Sequence, residues 1–273
     1  MKNFAFTIIF LIFSSSLFAG AWTMKKNHIY SRLSFNYYYA DKEFKYSHHK
    51  RHFKWDGKYK DKNIGLYVEY GLTDRITLLT SLYYKKIEKK DDYIKMTTSG
   101  VGDIDFGVKL NIFKGKKGVF SVQTLVKIPE AYDEDDALPL GNGQYDYELR
   151  AMMGLSLWPH IPGYVNMEFG YRWRTEAPSD ELRYLFEFGT NFTKNLYARI
   201  KLDGIRGMNN GKKKYDFSGN PTLNYNYDLG KLYITAGYKL KNNYFIEFEV
   251  APEIYGKNTS SGTTYTFAVG VSF

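Results

Sequence analysis

The chain of 273 residues contains no cysteine and only seven prolines. Without cysteine there is no disulfide framework, no attachment site for the lipid of an anchored lipoprotein, and no thiolate for catalysis or metal binding. The stability of the protein must therefore come from backbone hydrogen bonds, packing and charge pairing.

Long apolar runs are also missing. One apolar run extends from Phe4 to Phe13, which is too short to cross a bilayer as a helix, and no later stretch reaches the required length. Lys2 precedes this run and small residues follow it, as in a secretory signal peptide. We therefore expect residues 1–21 to be a signal peptide, cleaved after Ala19 or Ala21, and residues 22–273 to form the mature domain. The alternative, a short buried N-terminal helix, is disfavoured because no other segment has a helical pattern.

Aromatic side chains, in contrast, are abundant. They make up 18% of the residues and include 26 tyrosines, although the mean hydropathy is negative. A water-soluble core does not need so much tyrosine, whereas a transmembrane β-barrel places amphipathic rings at both membrane interfaces. If this chain enters a membrane, it must do so as strands closed into a barrel.

The net charge of +9 raises the question of a nucleic-acid partner. Much of the excess lies in clusters at residues 45–62, 85–95 and 212–214, which we predict to be loops. In an exported protein we expect no nucleic acid. We expect these loops instead to meet outer-membrane lipid and anionic lipopolysaccharide, or to remain solvated.

Two-residue alternation of apolar and polar side chains recurs along the chain, as in half-buried strands. From Gly102 to Ile112, for example, large apolar residues alternate with Asp, Lys, Gly and Asn. An even number of strands places both ends of the chain on the periplasmic side. About 12 strands are predicted, at residues 29–39, 64–70, 75–84, 102–112, 119–128, 145–157, 165–174, 182–189, 196–206, 228–240, 244–255 and 263–273.

The predicted connections alternate between short and long, as periplasmic turns and outer loops do in bacterial barrels. The short links are residues 71–74, 114–117, 158–163, 193–195 and 241–243. The outer links are residues 41–63, 85–99, 129–144 and 207–227, with shorter ones at 175–181 and 256–262. One alternative stays open: residues 223–229 could form a separate strand, and we assign them to the preceding loop.

Alternation alone does not identify the inner face, because a soluble lipocalin-like barrel would turn its apolar residues inward. The polar faces here mix acids and bases, which a lumen can pair across neighbouring strands. We therefore predict an all-β fold, a transmembrane antiparallel up-and-down β-barrel. In an open pore the inward charges would set selectivity, and in a closed barrel they would be a paired structural core. The lumen-facing candidates are Asp103, Asp105, Lys109, Glu148, Arg150, Glu168, Arg172, Arg174, Arg183, Glu187, Arg199, Lys201, Glu247 and Glu249.

The last predicted strand alternates up to a C-terminal phenylalanine, Phe273. This ending resembles the signal by which the barrel-assembly machinery recognises its clients, so we expect that machinery as a partner during biogenesis. Four stretches resemble a known family: residues 20–23 (GAWT), 66–75 (LYVEYGLTDR), 100–109 (GVGDIDFGVK) and 255–258 (YGKN).

The family is the outer-membrane family labelled putative MetA-pathway of phenol degradation, and the resemblance covers most of the mature chain. It implies a barrel with a transport function, linked in some members to aromatic compounds. It implies no catalytic residues.

Other motifs are better explained without a bound group. The glycines of residues 100–107 superficially match a phosphate loop, but such a loop must open a helix, and a strand follows here. The acidic residues 133–136 match no calcium-loop spacing, and His48, His49 and His52 lie among cations that disfavour a metal. We predict no cofactor and no metal.

An outer-membrane enzyme would need a nucleophile or an Asp and His pair at a defined height in the barrel. Outside the loop cluster the only histidines are His28 and His160, before the first strand and in a predicted turn. We therefore expect no enzyme. The expected function is an outer-membrane channel or transporter-like barrel for small solutes, hydrophobic or aromatic, in a Gram-negative-type bacterium. The alternative is a structural or adhesin-type barrel that acts through its outer loops.

Overall fold

The computed structural model describes residues 20–129, 131–133, 136, 138–176, 178–211 and 226–273. Nearly all of them belong to one antiparallel sheet. Two single-turn 3-10 helices lie in connections, at Lys54–Asp56 and Lys241–Asn243. Within the described residues, no helix is both long enough and apolar enough to cross a membrane.

The described residues contain fourteen strands. They are β1 (Ile29–Phe44), β2 (Lys50–His52), β3 (Lys58–Gly71), β4 (Ile76–Lys90), β5 (Lys95–Val101), β6 (Ile104–Lys114), β7 (Gly118–Ile128), β8 (Asp146–Ser156), β9 (Gly163–Arg174), β10 (Glu181–Asn191), β11 (Leu196–Gly207), β12 (Asp228–Lys239), β13 (Tyr244–Lys257) and β14 (Thr259–Ser272).

These strands close into a barrel with twelve strand positions around its circumference. β5 and β6 pair with the outer and inner parts of β4, so together they occupy one position, with a break at residues 102–103. β2 adds only three residues beside β1. The last strand β14 pairs with β1 over fourteen residue pairs, for example Phe35 with Phe267, so the sheet closes on itself. The predicted twelve-strand antiparallel barrel is confirmed.

The apolar side chains point away from the barrel axis. On β6, Val108 and Leu110 are 43% and 42% exposed, whereas Lys109 between them is 1% exposed. The other strands show the same arrangement, with polar side chains buried inside and a belt of exposed Phe, Leu, Ile and Tyr side chains around the outside. A soluble monomer does not expose so continuous an apolar surface, and lipid is the solvent that suits it. The barrel is therefore built to span a membrane, as the mixed polar faces predicted.

Several strands extend beyond their predicted ends. The predicted link 85–99 is a strand hairpin, because β4 continues to Lys90 and β5 starts at Lys95. The predicted link 41–63 is shortened in the same way, and the predicted link 256–262 is a tight turn at Asn258, whose φ is 51°. Above the membrane both faces of a strand meet water, so the backbone ladder continues while the alternation of side chains disappears. Residues 212–214 and 223–225 lie outside the described residues, and residue 228 starts β12.

Tyrosines occupy the interior as well as the expected membrane interfaces. The strand register places their side chains beside the inward charges on six strands. The inward tyrosines are Tyr30, Tyr38, Tyr59, Tyr67, Tyr83, Tyr164, Tyr197 and Tyr233. A lumen lined by rings that also carry hydroxyl groups can contact both apolar and polar solutes.

Candidate functional site

The predicted lumen-facing charges come together in clusters inside the barrel. Glu148 on β8 is the centre of the largest cluster. Its carboxylate accepts a 2.7 Å hydrogen bond from Arg150 Nε and a 2.8 Å hydrogen bond from Arg172 Nε. Arg183 Nη1 on β10 lies 3.7 Å from the same carboxylate. Arg150 also reaches Glu168 on β9 at 2.6 Å, so one ladder of alternating charge crosses three strands.

Toward the outer end the predicted Arg172 and Arg174 continue the ladder through four residues outside the predicted set: Lys127, Asp146, Glu181 and Tyr227. Asp146 lies 3.4 Å from Lys127 and 3.3 Å from Arg172. Arg174 pairs with Glu181 at 2.5 Å, and Tyr227 donates a 2.6 Å hydrogen bond to the same carboxylate. Strand parity identifies Asp146 and Glu181, because they lie two residues from the inward charges Glu148 and Arg183.

A second cluster lies on the opposite wall around Glu247 of β13. Arg32 Nε and Arg199 Nη2 lie 2.9 Å and 2.7 Å from its two oxygens, and Tyr197 donates a 2.8 Å hydrogen bond to it. Glu249, two residues further along, accepts a 2.7 Å hydrogen bond from Thr235. Glu247 therefore ties β1, β11 and β13 together inside the barrel.

The remaining predicted residues make individual contacts. Lys109 binds both oxygens of Glu69 on β3, at 3.1 Å and 3.3 Å, and Tyr67 donates to the same carboxylate. Glu187 accepts a hydrogen bond from Tyr164, and Asp105 accepts one from Ser81. Two predicted residues remain. Asp103 forms an ion pair with Lys127 at 3.3 Å, and the Lys201 ammonium group lies 4.0 Å from the centre of the Tyr233 ring.

The segment before β1 runs through the lower lumen, which the sequence did not predict. The backbone N–H of Ala21 donates to Asn166 Oδ1 at 3.0 Å, and that of Met24 donates to Thr77 Oγ1 at 2.8 Å. Lys109 Nζ donates to the Trp22 carbonyl at 3.3 Å. These partners belong to β9, β4 and β6, so residues 21–24 cross the barrel interior from one side to the other.

Side chains of this segment fill the space that they cross. Trp22 meets the ring of Tyr164 edge to face with centroids 5.5 Å apart, and a Cβ added to Gly154 would lie 2.5 Å from the indole. Met24 packs in a buried cluster with Tyr30 and Phe245. Residues 20–26, which we call the N-terminal plug, thus occupy the end of the lumen that lies beside the short turns.

The connection between β7 and β8 folds over the other end of the lumen. Leu138 and Leu140 are buried in a cluster with three inward residues, Tyr38, Tyr59 and Ile87. Lys85 donates to the Leu140 carbonyl at 3.2 Å. We call residues 138–145 the outer lid.

A tyrosine hydroxyl anchors the outer lid to the wall. Tyr132 donates a 2.6 Å hydrogen bond to Asp103 and accepts one from the Gly143 N–H at 2.8 Å. Burial and the nearby Asp103 carboxylate raise the pKa of Tyr132 well above its usual value, so its hydroxyl remains a donor.

A chamber remains between the plug and the lid. On β4 the inward residues follow in order from Thr77, which binds the plug, to Lys85, which binds the lid, and Tyr83 lies between them. Although it faces inward, Tyr83 is 39% exposed, which shows open space beside its ring. Tyr233 also points inward, on β12 five strands away from β4 around the barrel, and it carries Lys201 over its own ring. The chamber thus presents two aromatic rings and a cation.

The histidines do not take part in the chamber. His28 and His160 lie in turns at the end beside the plug, and His48 and His52 contact Gly256 and Asp41 in the outer loops. Among the residues that the structure describes, no group of three or more His, Asp or Glu side chains is placed to hold a metal ion. Residues 134 and 135 of the acidic run lie outside the described residues.

Fold and lumen together define a membrane-spanning β-barrel of the porin type, with a polar, plugged interior. Residues 44–269 match the family described as Putative MetA-pathway of phenol degradation, and the chain belongs to this family. The resemblance drawn from the sequence is therefore confirmed. A search of curated proteins found no match.

Three solved barrels share the architecture. The COG4313 outer membrane channel from Pseudomonas putida F1 is 16% identical, with a TM-score of 0.76 over 93% of this chain and 98% of that chain. The NanC porin is 9% identical, with a TM-score of 0.56 over 90% and 100% of the two chains. The KdgM porin in complex with disordered oligogalacturonate is 7% identical, with a TM-score of 0.53 over 89% and 99%. At these identities the likeness concerns the fold.

Glu148→Gln is expected to lower the free energy of unfolding by about 3 kcal/mol, because it leaves Arg150 and Arg172 in the lumen without their shared carboxylate. Urea unfolding of the detergent-solubilised protein, followed by its gel mobility without heating, measures the change. The control is Asp92→Asn at the exposed tip of the β4 and β5 hairpin, which should leave the midpoint unchanged. Equal midpoints for both variants would show that the ladder does not stabilise the barrel.

Proposed function

We propose that this barrel is an outer-membrane channel for small aromatic solutes, including aromatic acids. The observation that carries the proposal is the chamber, in which Tyr83 exposes its ring and Tyr233 carries Lys201 over its own ring. Tyrosine faces stack on aromatic solutes, and an ammonium group held over one of the rings attracts a carboxylate or phenolate. An open space at mid-height between two barriers provides a site where a solute can bind on its way through the barrel.

Family membership and fold support the proposal. The family's description refers to phenol degradation, and two of the similar solved barrels are porins and one is an outer membrane channel. The fourteen predicted charges then have two roles. Most of those in the Glu148 and Glu247 clusters hold the barrel together. We propose that Lys201, and Arg183 at the edge of the Glu148 cluster, select the solute, because Arg183 lies 3.7 Å and 4.0 Å from its two carboxylates and Lys201 lies over a ring.

Tyr83→Ala is expected to weaken the block of the channel by benzoate about tenfold, because a stacking face is lost while the cations remain. Single-channel recording in planar bilayers, with benzoate added to one side, measures the block. Leu149→Ala on the lipid-facing side of β8 serves as the control, since its side chain does not reach the lumen. Cyclohexanecarboxylate tests the ring itself, and equal block by both acids in the wild type would contradict aromatic selection.

The N-terminal plug is the second element of the proposal, as the barrier at the periplasmic end. Trp22→Ala combined with Met24→Ala should raise the conductance several-fold, because both side chains fill the lower lumen. Lys25→Ala combined with Lys26→Ala changes two exposed neighbours in the same segment and should leave the conductance near the wild-type value. The plug has no gating role if the first pair conducts like the second.

We also propose that the signal peptide ends at Ala19 rather than Ala21. The support is the pair of hydrogen bonds made by Ala21, which accepts one from Ser121 at 2.5 Å and donates one to Asn166. Cleavage after Ala21 would remove both bonds from a buried site. The intact mass of the protein isolated from outer membranes is expected to correspond to a chain that begins at Gly20, and a chain that begins at Trp22 would refute the assignment.

The plug covers one end of the lumen and the outer lid covers the other. This feature favours a second candidate function, a structural or adhesin-type barrel without transport. Such a barrel would be silent in planar bilayers even after the plug side chains are removed. Discrete conductance steps that small aromatic acids block would exclude this candidate.

A further inference from the structure

A pair of lysines marks the outer boundary of the apolar belt on β3 and β4. The outward side chains of β3 are uncharged from Ile64 to Tyr70, and those of β4 are uncharged from Ile76 to Tyr84. The next outward residues toward the outer loops are Lys62 and Lys86. Both therefore lie where an apolar membrane core gives way to its polar surface.

These two lysines face each other without a carboxylate. They are directly opposed in the register of β3 and β4, and like charges in that position destabilise a sheet. One row further out, Glu88 neutralises two other lysines, Lys60 at 3.4 Å and Lys95 at 2.9 Å. Among the described residues, no acidic side chain comes within ion-pair distance of the Lys62 or Lys86 ammonium groups. The pair thus presents an uncompensated double positive charge.

An apolar groove begins directly below this charge. It has a volume of about 420 Å³, and its walls include Phe35, Tyr37, Ile64 and Tyr84, with Lys62 at the rim. The ammonium group of Lys62 lies 5.9 Å from the centre of the Tyr37 ring. The groove opens outward, away from the chamber, because its apolar residues have the lipid-facing parity of β1, β3 and β4.

We propose that this surface binds a phosphorylated glycolipid of the outer leaflet, the lipid A type, with one phosphate between Lys62 and Lys86 and an acyl chain in the groove. Two adjacent cations suit a phosphate monoester, whereas a zwitterionic phospholipid brings its own ammonium group. The site lies at the end of the barrel that carries the long loops, away from both termini. The proposal rests on the outer-membrane placement proposed above and is independent of solute transport, since neither lysine faces the lumen.

The experiment uses the mature protein in detergent with purified bisphosphorylated lipid A, and native mass spectrometry measures the bound fraction. Lys62→Gln combined with Lys86→Gln should weaken binding at least tenfold, which corresponds to about 1.4 kcal/mol. The matched control is Lys116→Gln combined with Lys117→Gln, an equal loss of charge in the turn between β6 and β7 at the opposite end. Wild-type affinity in the first pair, or an equal loss in the control pair, would overturn the proposal.

Three further arms separate the contributions. Ile64→Trp should fill the groove and weaken binding with both lysines in place, whereas unchanged affinity would overturn the acyl-chain part of the proposal. Dephosphorylated lipid A and inorganic phosphate alone should compete poorly. Competition by inorganic phosphate at the concentration of lipid A would instead show a simple anion site. Benzoate-sensitive conductance should persist in the Lys62 and Lys86 variant, so failure of lipid binding can be told apart from failure of the channel.

Discussion

The pairing of charges inside an apolar wall is the interaction on which this barrel depends. Its outward face is suited to lipid, so the polar residues of every strand must be accommodated inside. A buried charge is costly unless an opposite charge and hydrogen bonds compensate it. Glu148 and Glu247 provide that compensation on opposite walls, each binding arginines from two or more strands. The Glu247 cluster therefore links β13 to β1 and β11, strands with which it shares no backbone ladder.

This pairing also shapes the path through the barrel. The paired arginines are held against the wall, which leaves the interior to the plug, the lid and the chamber between them. Lys109 shows the connection directly, because it pairs with Glu69 and also binds the Trp22 carbonyl of the plug. The wall and the lower barrier thus share a side chain. A channel with this construction would admit solutes by displacing a short segment rather than by deforming the barrel.

The fold was predictable from the sequence because alternation with a period of two is strong wherever one face meets lipid. The alternation is weaker at the strand ends. Residues 85–99 are predicted to be a loop because both faces of this hairpin meet water and the alternation is lost, although β4 and β5 pair there. The inward charges of β8 to β11 followed from the same alternation. Glu69 and Arg32 were not in the predicted set, although their alternation with inward tyrosines carries the information.

The plug and the lid left no comparable signal. Ala21, Trp22 and Met24 bind through backbone groups and shape, so no periodic pattern marks them, and Ala21 falls at a predicted cleavage site. Leu138 and Leu140 are isolated apolar residues in a polar loop, and only the closed barrel brings them to Tyr59 and Ile87. Contacts between segments distant in sequence depend on barrel closure, which local patterns do not encode.

Apolar side chains on the outside of the barrel face lipid, while the plug lies in a lipid-free lumen. Quenching of tryptophan fluorescence by brominated lipids in liposomes tests this arrangement most directly, with two single-tryptophan proteins. One keeps Trp22 alone, and the other carries Phe169→Trp on the outward face of β9 with the four native tryptophans replaced by phenylalanine. We expect strong quenching of the tryptophan at residue 169 and little quenching of Trp22. Strong quenching of Trp22 together with a protected reporter at residue 169 would contradict this arrangement.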